Sequence, residues 1–181
     1  MDMIAKSQFY IKKPVVGTID EIFSIYDEFR FKHGIEIGFL DYLQLVAAGE
    51  ADKRASREET IGRASKVLKR QVAEHMKMVS VAIAQLNRTD YKAGEARKQE
   101  NVGGSYQISQ DADDLMTLAE KTDQQMQEEK GMRGNRKIFI DKRRGGASDI
   151  MIDAELDCLK TMSLRYTEII SPGQMIGFKR T

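Results

Sequence analysis

Two polar residues follow apolar runs in this 181-residue sequence, and both are of types that handle metal ions and phosphate. Asp41 follows the run Ile35–Leu40, and Gln85 follows the run Met78–Ala84. A carboxylate can hold a hydrated Mg²⁺ bound to phosphates, because Mg²⁺ takes few carboxylates and keeps several waters. A glutamine amide can hydrogen-bond a terminal phosphate or orient an attacking water. Either residue could instead cap a strand end, and the pattern alone favours neither interpretation.

The elements predicted around these residues place them at one edge of a parallel sheet. Thr18 and Glu21 have capping-box spacing, and apolar residues then recur at helical spacing until Gly34, so a helix is predicted between them. The short run before Asp41 follows this helix directly and suits a central parallel strand buried on both faces. Ligands of open parallel sheets bind outside the carboxyl ends of the strands, so we expect Asp41 and Gln85 to share a rim.

The other predicted elements complete an α/β domain. A short strand is predicted at Phe9–Lys13, and a capping box at Ser56 and Glu59 begins a second helix. The apolar stripe of that helix comprises Ile61, Ala64, Leu68, Val72 and Met76. Residues 88–105 are rich in glycine and charge and predict a long loop.

The last third of the chain reads as strands. Strands are predicted at residues 113–119 and 136–144, with a polar helix or loop at 120–135. The pieces Ile150–Leu156 and Met162–Ile169 predict an antiparallel hairpin.

Composition sets limits on the class of protein. With 41% hydrophobic and 31% charged residues, the chain fits one globular α/β domain and not a disordered protein. The net charge of +1 excludes strong attraction of the whole molecule to nucleic acid or anionic lipid, so such binding would need local patches. A single cysteine, Cys158, forms no internal disulfide, and neither a signal peptide nor a long apolar span is present. We therefore expect a cytoplasmic protein without a membrane partner.

Five blocks of sequence carry a family resemblance. "GFLDYLQL" resembles the Walker B segment of replicative hexameric DNA helicases of the DnaB type, and "VSVAIAQLNR" resembles the next motif of that family. "SREETIGRASKVLKRQVAEH" is similar to the helix between these motifs, "ISQDADDLMTL" to a segment before a strand, and "IFIDKRRGG" to the Lys-Gln-Arg-Asn-Gly segment. The resemblance implies that residues 1–181 are the distal portion of a RecA-like helicase ATPase domain without the phosphate loop. The implied fold is a mostly parallel central sheet flanked by helices, with a C-terminal antiparallel hairpin.

The resemblance also assigns roles to residues at an ATP site. Asp41 would hold Mg²⁺ through water, and Gln85 would sense the γ-phosphate of ATP. Lys142 and Arg144 would reach the nucleotide of the neighbouring subunit as a trans-acting pair. A guanidinium suits that role, because its planar fork binds phosphate through two bonds, and such a finger accelerates hydrolysis by about 10³ to 10⁵.

The family's DNA-facing loop would fall between Arg88 and Ser105. Its usual Arg-Glu-Ser-Gly is replaced here by Gly-Gly-Ser-Tyr, so phosphate contacts would come from the amides of Gly103 and Gly104. Positive charge nearby would come from Arg88, Lys92, Arg97 and Lys98. The implied partners are single-stranded DNA and five further copies of the chain in a homo-hexamer, with primase and other replication proteins as further candidates. The implied location is the bacterial cytoplasm, for a bacterial protein or a phage protein in its host.

The sequence departs from the family in two places that matter for catalysis. No GxxxxGK[ST] phosphate loop occurs, and the family's catalytic glutamate has no counterpart before Asp41. We therefore expect the chain to be inactive by itself. Three hypotheses remain: part of a replicative helicase motor, a non-hydrolysing DNA-binding or regulatory module derived from one, or a fragment of another RecA-like protein such as a recombination or circadian-type ATPase. The blocks "DYLQL" and "AQLNR" argue against the third.

Overall fold

A computed structural model describes residues 8–46, 54–85, 106–129, 134–148, 150–157 and 163–170. The chain divides into two compact units. The parallel unit comprises Met1–Leu86 and Val102–Asp111, and the antiparallel unit comprises Asn87–Asn101 and Ala112–Thr181. Within the described ranges, no helix has the length and apolar character that crossing a membrane requires.

The parallel unit pairs two short strands and packs helices against them. Its elements are α1 (Ile19–His33), β1 (Ile37–Leu40), a 3₁₀ helix (Leu43–Leu45), α2 (Arg57–Val67) continued by a π-helix (Leu68–His75), β2 (Val79–Ala82) and α3 (Tyr106–Asp111). β1 and β2 run parallel, from Ile37 opposite Val79 to Leu40 opposite Ala82. The predicted parallel pairing is therefore confirmed.

The ends of α1 follow its sequence signals, with one difference. The Thr18 hydroxyl accepts a hydrogen bond from the Glu21 N–H, and Gly34 ends the helix in the left-handed conformation at φ 65°. The Glu21 carboxylate, however, accepts hydrogen bonds from the N–H groups of Val15, Val16 and Gly17. Only the hydroxyl half of the predicted capping box forms, because the three amides of the preceding turn occupy the carboxylate.

The predicted strand at Phe9–Lys13 is wrong. Residues 8–14 have no regular structure and lie along α1. The Tyr10 ring stacks on His33 with a centroid separation of 4.0 Å, and Lys12 Nζ lies 2.6 Å from Glu28 Oε2. Side-chain contacts to a helix thus replace the ladder of backbone bonds that a strand requires.

The second predicted helix is confirmed in its start and in its buried stripe. Both hydrogen bonds of the capping box between Ser56 and Glu59 are present. All five stripe residues are buried: Ile61, Ala64, Leu68, Val72 and Met76. The change to a π-helix at Leu68 was not predicted.

The sequence predicted that β1 is buried on both faces. Within the described residues, only one face is covered. The Tyr26 ring of α1 covers one face so closely that a Cβ on Gly38 would overlap Tyr26 Cε1. On the other face, Ile37 is 52% and Phe39 65% exposed, and Val79 of β2 is 58% exposed. The expectation is wrong here because no described element of the parallel unit covers this second face.

The antiparallel unit is a four-stranded sheet with one short helix. Its elements are β3 (Asp114–Glu120), α4 (Asp123–Glu128), β4 (Arg136–Arg143), β5 (Ile150–Asp157) and β6 (Ser163–Ile170). The strands pair in the order β3-β4-β5-β6, all antiparallel. The predicted strands and the β5–β6 hairpin are confirmed, and the hairpin belongs to a larger sheet than the sequence indicated.

A buried ion cluster joins this sheet to the end of α4. Lys121 Nζ lies 2.6 Å from both Asp153 Oδ1 and Glu129 Oε2. The side chains of Lys121 and Asp153 are fully buried. The Lys121–Asp153 contact is an ion pair by distance, although neither Asp153 oxygen has a hydrogen bond of good geometry from the described residues.

Candidate functional site

Asp41 and Gln85 follow the carboxyl ends of neighbouring parallel strands. Asp41 comes directly after β1, Gln85 comes three residues after β2, and both are exposed. Two backbone hydrogen bonds extend the pairing past the strands: the Ile83 N–H donates to the Leu40 carbonyl at 3.0 Å, and the Leu43 N–H donates to the Ile83 carbonyl at 2.9 Å. The topology therefore brings the carboxylate and the amide to one rim of the sheet, where ligands of such sheets bind.

A third residue, Gln44, joins the two sides of this rim and was missed by the sequence analysis. Gln44 Nε2 donates to the Gln85 carbonyl at 3.0 Å, and Gln44 Oε1 accepts from the Gln85 N–H at 3.1 Å. The Gln44 carbonyl in turn accepts a hydrogen bond from Arg57 Nη2 at 3.4 Å. The available signal was a single amide among the apolar residues of "DYLQL".

The rim has the chemistry for a phosphate-bound magnesium ion but not for a metal held by protein alone. Among the described residues, no group of three His, Cys, Asp or Glu side chains could hold a metal ion. One exposed carboxylate, Asp41, fits Mg²⁺ that is held mainly by phosphates and water. The groups that would hold those phosphates are absent from the sequence, because it has no phosphate loop.

Lys142 and Arg144 lie at the end of β4, in the antiparallel unit. Lys142 is half-buried and pairs with Leu115 across the sheet. Arg144 is exposed, and its Nη1 lies 2.6 Å from Asp113 Oδ1. The Arg144 N–H also donates to the Asp113 carbonyl at 3.0 Å. An exposed pair of this kind is worth at most about 1 kcal/mol, so Asp113 can orient the guanidinium without preventing it from moving to a phosphate.

The predicted DNA-facing residues lie outside the described part of the chain. They are Arg88, Lys92, Arg97, Lys98, Gly103 and Gly104.

Two solved structures show the class of fold. The chain matches a structure titled as a DnaB-like replicative helicase and its interactions with primase, with a TM-score of 0.70 and 23% identity over 86% of this chain and 36% of that one. It matches a second structure, titled as an ATPase domain, with a TM-score of 0.67 and 24% identity, over 83% of this chain and 52% of that one. The fold is therefore that of a RecA-like ATPase domain.

Sequence comparison gives the family. The model of the DnaB-like helicase C-terminal domain matches residues 1–158, and the chain belongs to this family. A probable plasmid replicative DNA helicase of Chlamydia psittaci is 32% identical over 121 residues, which make up 66% of this chain. The match spans a quarter (25%) of that relative's length.

Proposed function

We propose that this chain forms the distal part of the ATPase motor of a replicative DnaB-like helicase. The observation that carries the proposal is the joined rim, where Asp41 and Gln85 follow adjacent parallel strands and are tied together by backbone and side-chain hydrogen bonds. In a chain of this family, a carboxylate and an amide so placed suit the hydrolysis of a magnesium-bound nucleotide.

Within that motor, this chain's residues would divide the work between two ATP sites. Asp41 would hold Mg²⁺ through water, and Gln85 would sense the γ-phosphate of the same ATP. The bound Mg²⁺ would supply charge neutralisation at the phosphates. Lys142 and Arg144 would reach the ATP of the next subunit and stabilise the negative charge that develops during hydrolysis.

The exposed apolar face of the β1–β2 sheet supports a role as part of a larger domain. Ile37, Phe39, Val79 and Val81 expose apolar surface on two strands, and two strands alone are marginally stable. The chain also covers only 52% of the matched ATPase-domain structure. In the proposed motor, the polypeptide that carries the phosphate loop packs against this face and completes the sheet.

The proposal includes the partners of a replicative helicase. The motor would act as a homo-hexamer that moves on single-stranded DNA and unwinds duplex DNA, with Arg88, Arg97, Lys98, Gly103 and Gly104 facing the strand. Primase is a candidate partner, since one matched structure concerns a relative with primase. The proposed location is the bacterial cytoplasm, for a bacterial or phage protein.

The missing phosphate loop favours one alternative, a DNA-binding or regulatory module that does not hydrolyse ATP. The two functions differ in what lies in frame upstream of Met1. A phosphate loop there supports the motor, and a true start codon without one supports the module.

Isothermal titration calorimetry of the 181-residue chain tests whether the phosphate-binding part of the proposed ATP site lies outside these residues. We expect Mg-ATP to bind weakly or not at all, because the phosphate-binding amides and lysine are absent. Micromolar affinity for Mg-ATP in the chain alone would show that these residues contain the phosphate-binding groups, contrary to the proposal.

The assigned roles are tested in the proposed motor, that is, in this chain together with the polypeptide that supplies the phosphate loop. Asp41→Asn should weaken Mg²⁺-dependent hydrolysis, and Gln85→Ala should impair hydrolysis or its coupling to DNA, while both proteins fold. Asp27→Asn, which changes an exposed acid of α1, is the matched control and should leave the rate unchanged. Full ATPase and unwinding activity in both site variants would mean that Asp41 and Gln85 only cap strand ends.

A further inference from the structure

We propose that Gln44 is a positioning residue for ATP hydrolysis. Its side-chain amide holds the backbone of Gln85, so that the Gln85 side chain is presented on the rim beside Asp41. This inference rests on the proposed function of Asp41 and Gln85, and it adds a residue to which no catalytic or binding role has been assigned.

The Gln44 side-chain amide bonds the Gln85 backbone as a residue of a neighbouring strand would. A primary amide carries an N–H donor and a C=O acceptor, as a peptide group does. Gln44 uses both on a single residue, since it donates to the Gln85 carbonyl and accepts from the Gln85 N–H. In an antiparallel sheet, two facing residues exchange the same pair of bonds. The side chain of Gln44 therefore continues the sheet pairing beyond the end of the strands.

This substitute is needed because the chain turns away after Asp41. The backbone enters the 3₁₀ helix Leu43–Leu45, where the Leu43 N–H is taken by the Ile83 carbonyl and the Leu45 N–H by the Tyr42 carbonyl. Gln85 lies beyond these contacts and is exposed. Its backbone would otherwise exchange hydrogen bonds with water, and its side chain would sample more directions.

Gln44 is itself anchored to the packed part of the parallel unit. Leu43, its neighbour, is 1% exposed and belongs to the core. Arg57, the first residue of α2, donates from Nη2 to the Gln44 carbonyl. The contact from Gln44 to Gln85 thus connects the candidate phosphate sensor to a packed helix. Such a connection matters because a catalytic group raises the rate of hydrolysis when it is held close to its reactive geometry.

The first experiment measures the contact in the 181-residue chain by NMR. Gln44→Met keeps the length of the side chain and removes both hydrogen bonds. The Gln85 amide should then exchange with solvent roughly tenfold faster, and its backbone order parameter should fall. Gln124→Met, which removes an exposed side-chain amide in the antiparallel unit, should change neither value. A Gln85 amide that exchanges equally fast in the Gln44→Met and unmodified chains would overturn the contact.

The second experiment measures hydrolysis in the proposed motor, which contains the phosphate-loop polypeptide as well as this chain. Gln44→Met should lower kcat roughly tenfold and leave KM for ATP nearly unchanged, because Gln44 does not touch the nucleotide. Gln44→Glu keeps an acceptor for the Gln85 N–H but sets a carboxylate oxygen against the Gln85 carbonyl, so it should not restore kcat. A raised KM in place of a lowered kcat, or no change in either constant, would overturn the positioning role.

The proposed function of Gln85 and the positioning role of Gln44 can be refuted separately. If Gln85→Ala leaves hydrolysis unchanged, the proposed function of Gln85 fails, whatever the NMR experiment shows. If Gln85→Ala lowers kcat and Gln44→Met does not, the proposed function stands and the role of Gln44 is refuted.

Discussion

At the scale of single residues, the exposure of Asp41 and Gln85 agrees with an incomplete ATP site. A group that meets Mg²⁺ or a phosphate must give up bulk water, and water is excluded only when the site closes. Both side chains are exposed, while the backbone that carries them is tied by hydrogen bonds. The described residues therefore hold the backbone at both positions in place. In the proposed motor, the phosphate-loop part would desolvate the two side chains.

Glu28 gives a residue-scale prediction away from the site. A hydrogen bond from Lys12, and to a smaller extent one from Lys32, lowers the pKa of Glu28 from 4.5 to about 2. Because the folded pKa is depressed, the ionised carboxylate stabilises the folded chain above pH 4.5, and this contribution is lost as the pH falls towards about 2. Glu28→Gln should thus reduce stability at neutral pH and have little effect near pH 2.

Chemical denaturation across this pH range measures the difference. Glu36→Gln, at another exposed glutamate of the parallel unit, is the control. A loss of stability in Glu28→Gln that is the same at pH 7 and pH 2 would refute the ionic explanation.

At the scale of elements, sequence predicted those parts whose signals are local. The Ser56 capping box, the Gly34 stop and the β5–β6 hairpin are set by neighbouring residues, and all three are present. The Phe9–Lys13 strand failed because strand pairing depends on a distant partner. Gln44 was missed for a related reason, since its contact with Gln85 spans 41 positions in sequence.

The close approach of α1 to β1 makes Gly38 sensitive to substitution. In Gly38→Ala, the new methyl group would overlap the buried Tyr26 ring, so the ring or the strand must shift. We expect a loss of about 1–3 kcal/mol in the free energy of unfolding. Gly145→Ala, where nothing lies within 4 Å of the added atom, should change it by less than about 0.5 kcal/mol. Equal stability of the two variants would mean that Tyr26 does not pack on Gly38.

The buried ion cluster should dominate the stability of the antiparallel unit. Asp153→Ala would remove the fully buried one of the two carboxylates that lie 2.6 Å from Lys121 Nζ. Because Glu129 stays beside the buried ammonium group, we expect a loss of about 3 kcal/mol, at the lower end of the range for breaking a buried pair. Glu120→Ala removes an exposed pair with Arg136 in the same sheet and should cost at most about 1 kcal/mol. Urea denaturation of both variants provides the comparison, and equal losses would contradict a special role for the buried pair.

At the scale of the whole molecule, the family resemblance predicted more than the patterns of single elements did. The five sequence blocks implied a RecA-like ATPase domain of the DnaB type, and the comparisons confirm that fold and family. For the described residues, the burial of β1 on both faces was predicted wrongly, because burial depends on what covers the sheet. Composition and periodicity describe only the strand itself.

The assembly of the proposed motor gives the last prediction. If the ATP site lies between subunits, one protomer contributes Asp41 and Gln85, and its neighbour contributes Lys142 and Arg144. In the complete protein, Arg144→Ala should then bind nucleotide normally and lose hydrolysis, because the guanidinium acts on charge that develops in the transition state. Arg144→Lys should rescue poorly, since an ammonium group lacks the planar fork.

Mixing experiments separate this arrangement from a site within one chain. In rings that contain both Arg144→Ala and Asp41→Asn subunits, some interfaces pair an intact Asp41 with an intact Arg144, and these should recover part of the ATPase activity. A site built within one chain allows no such recovery, because every subunit carries one defect. Native mass spectrometry must first show that mixed hexamers form. If they form and the mixture is no more active than the sum of its components, then Arg144 does not act on the neighbouring subunit's ATP.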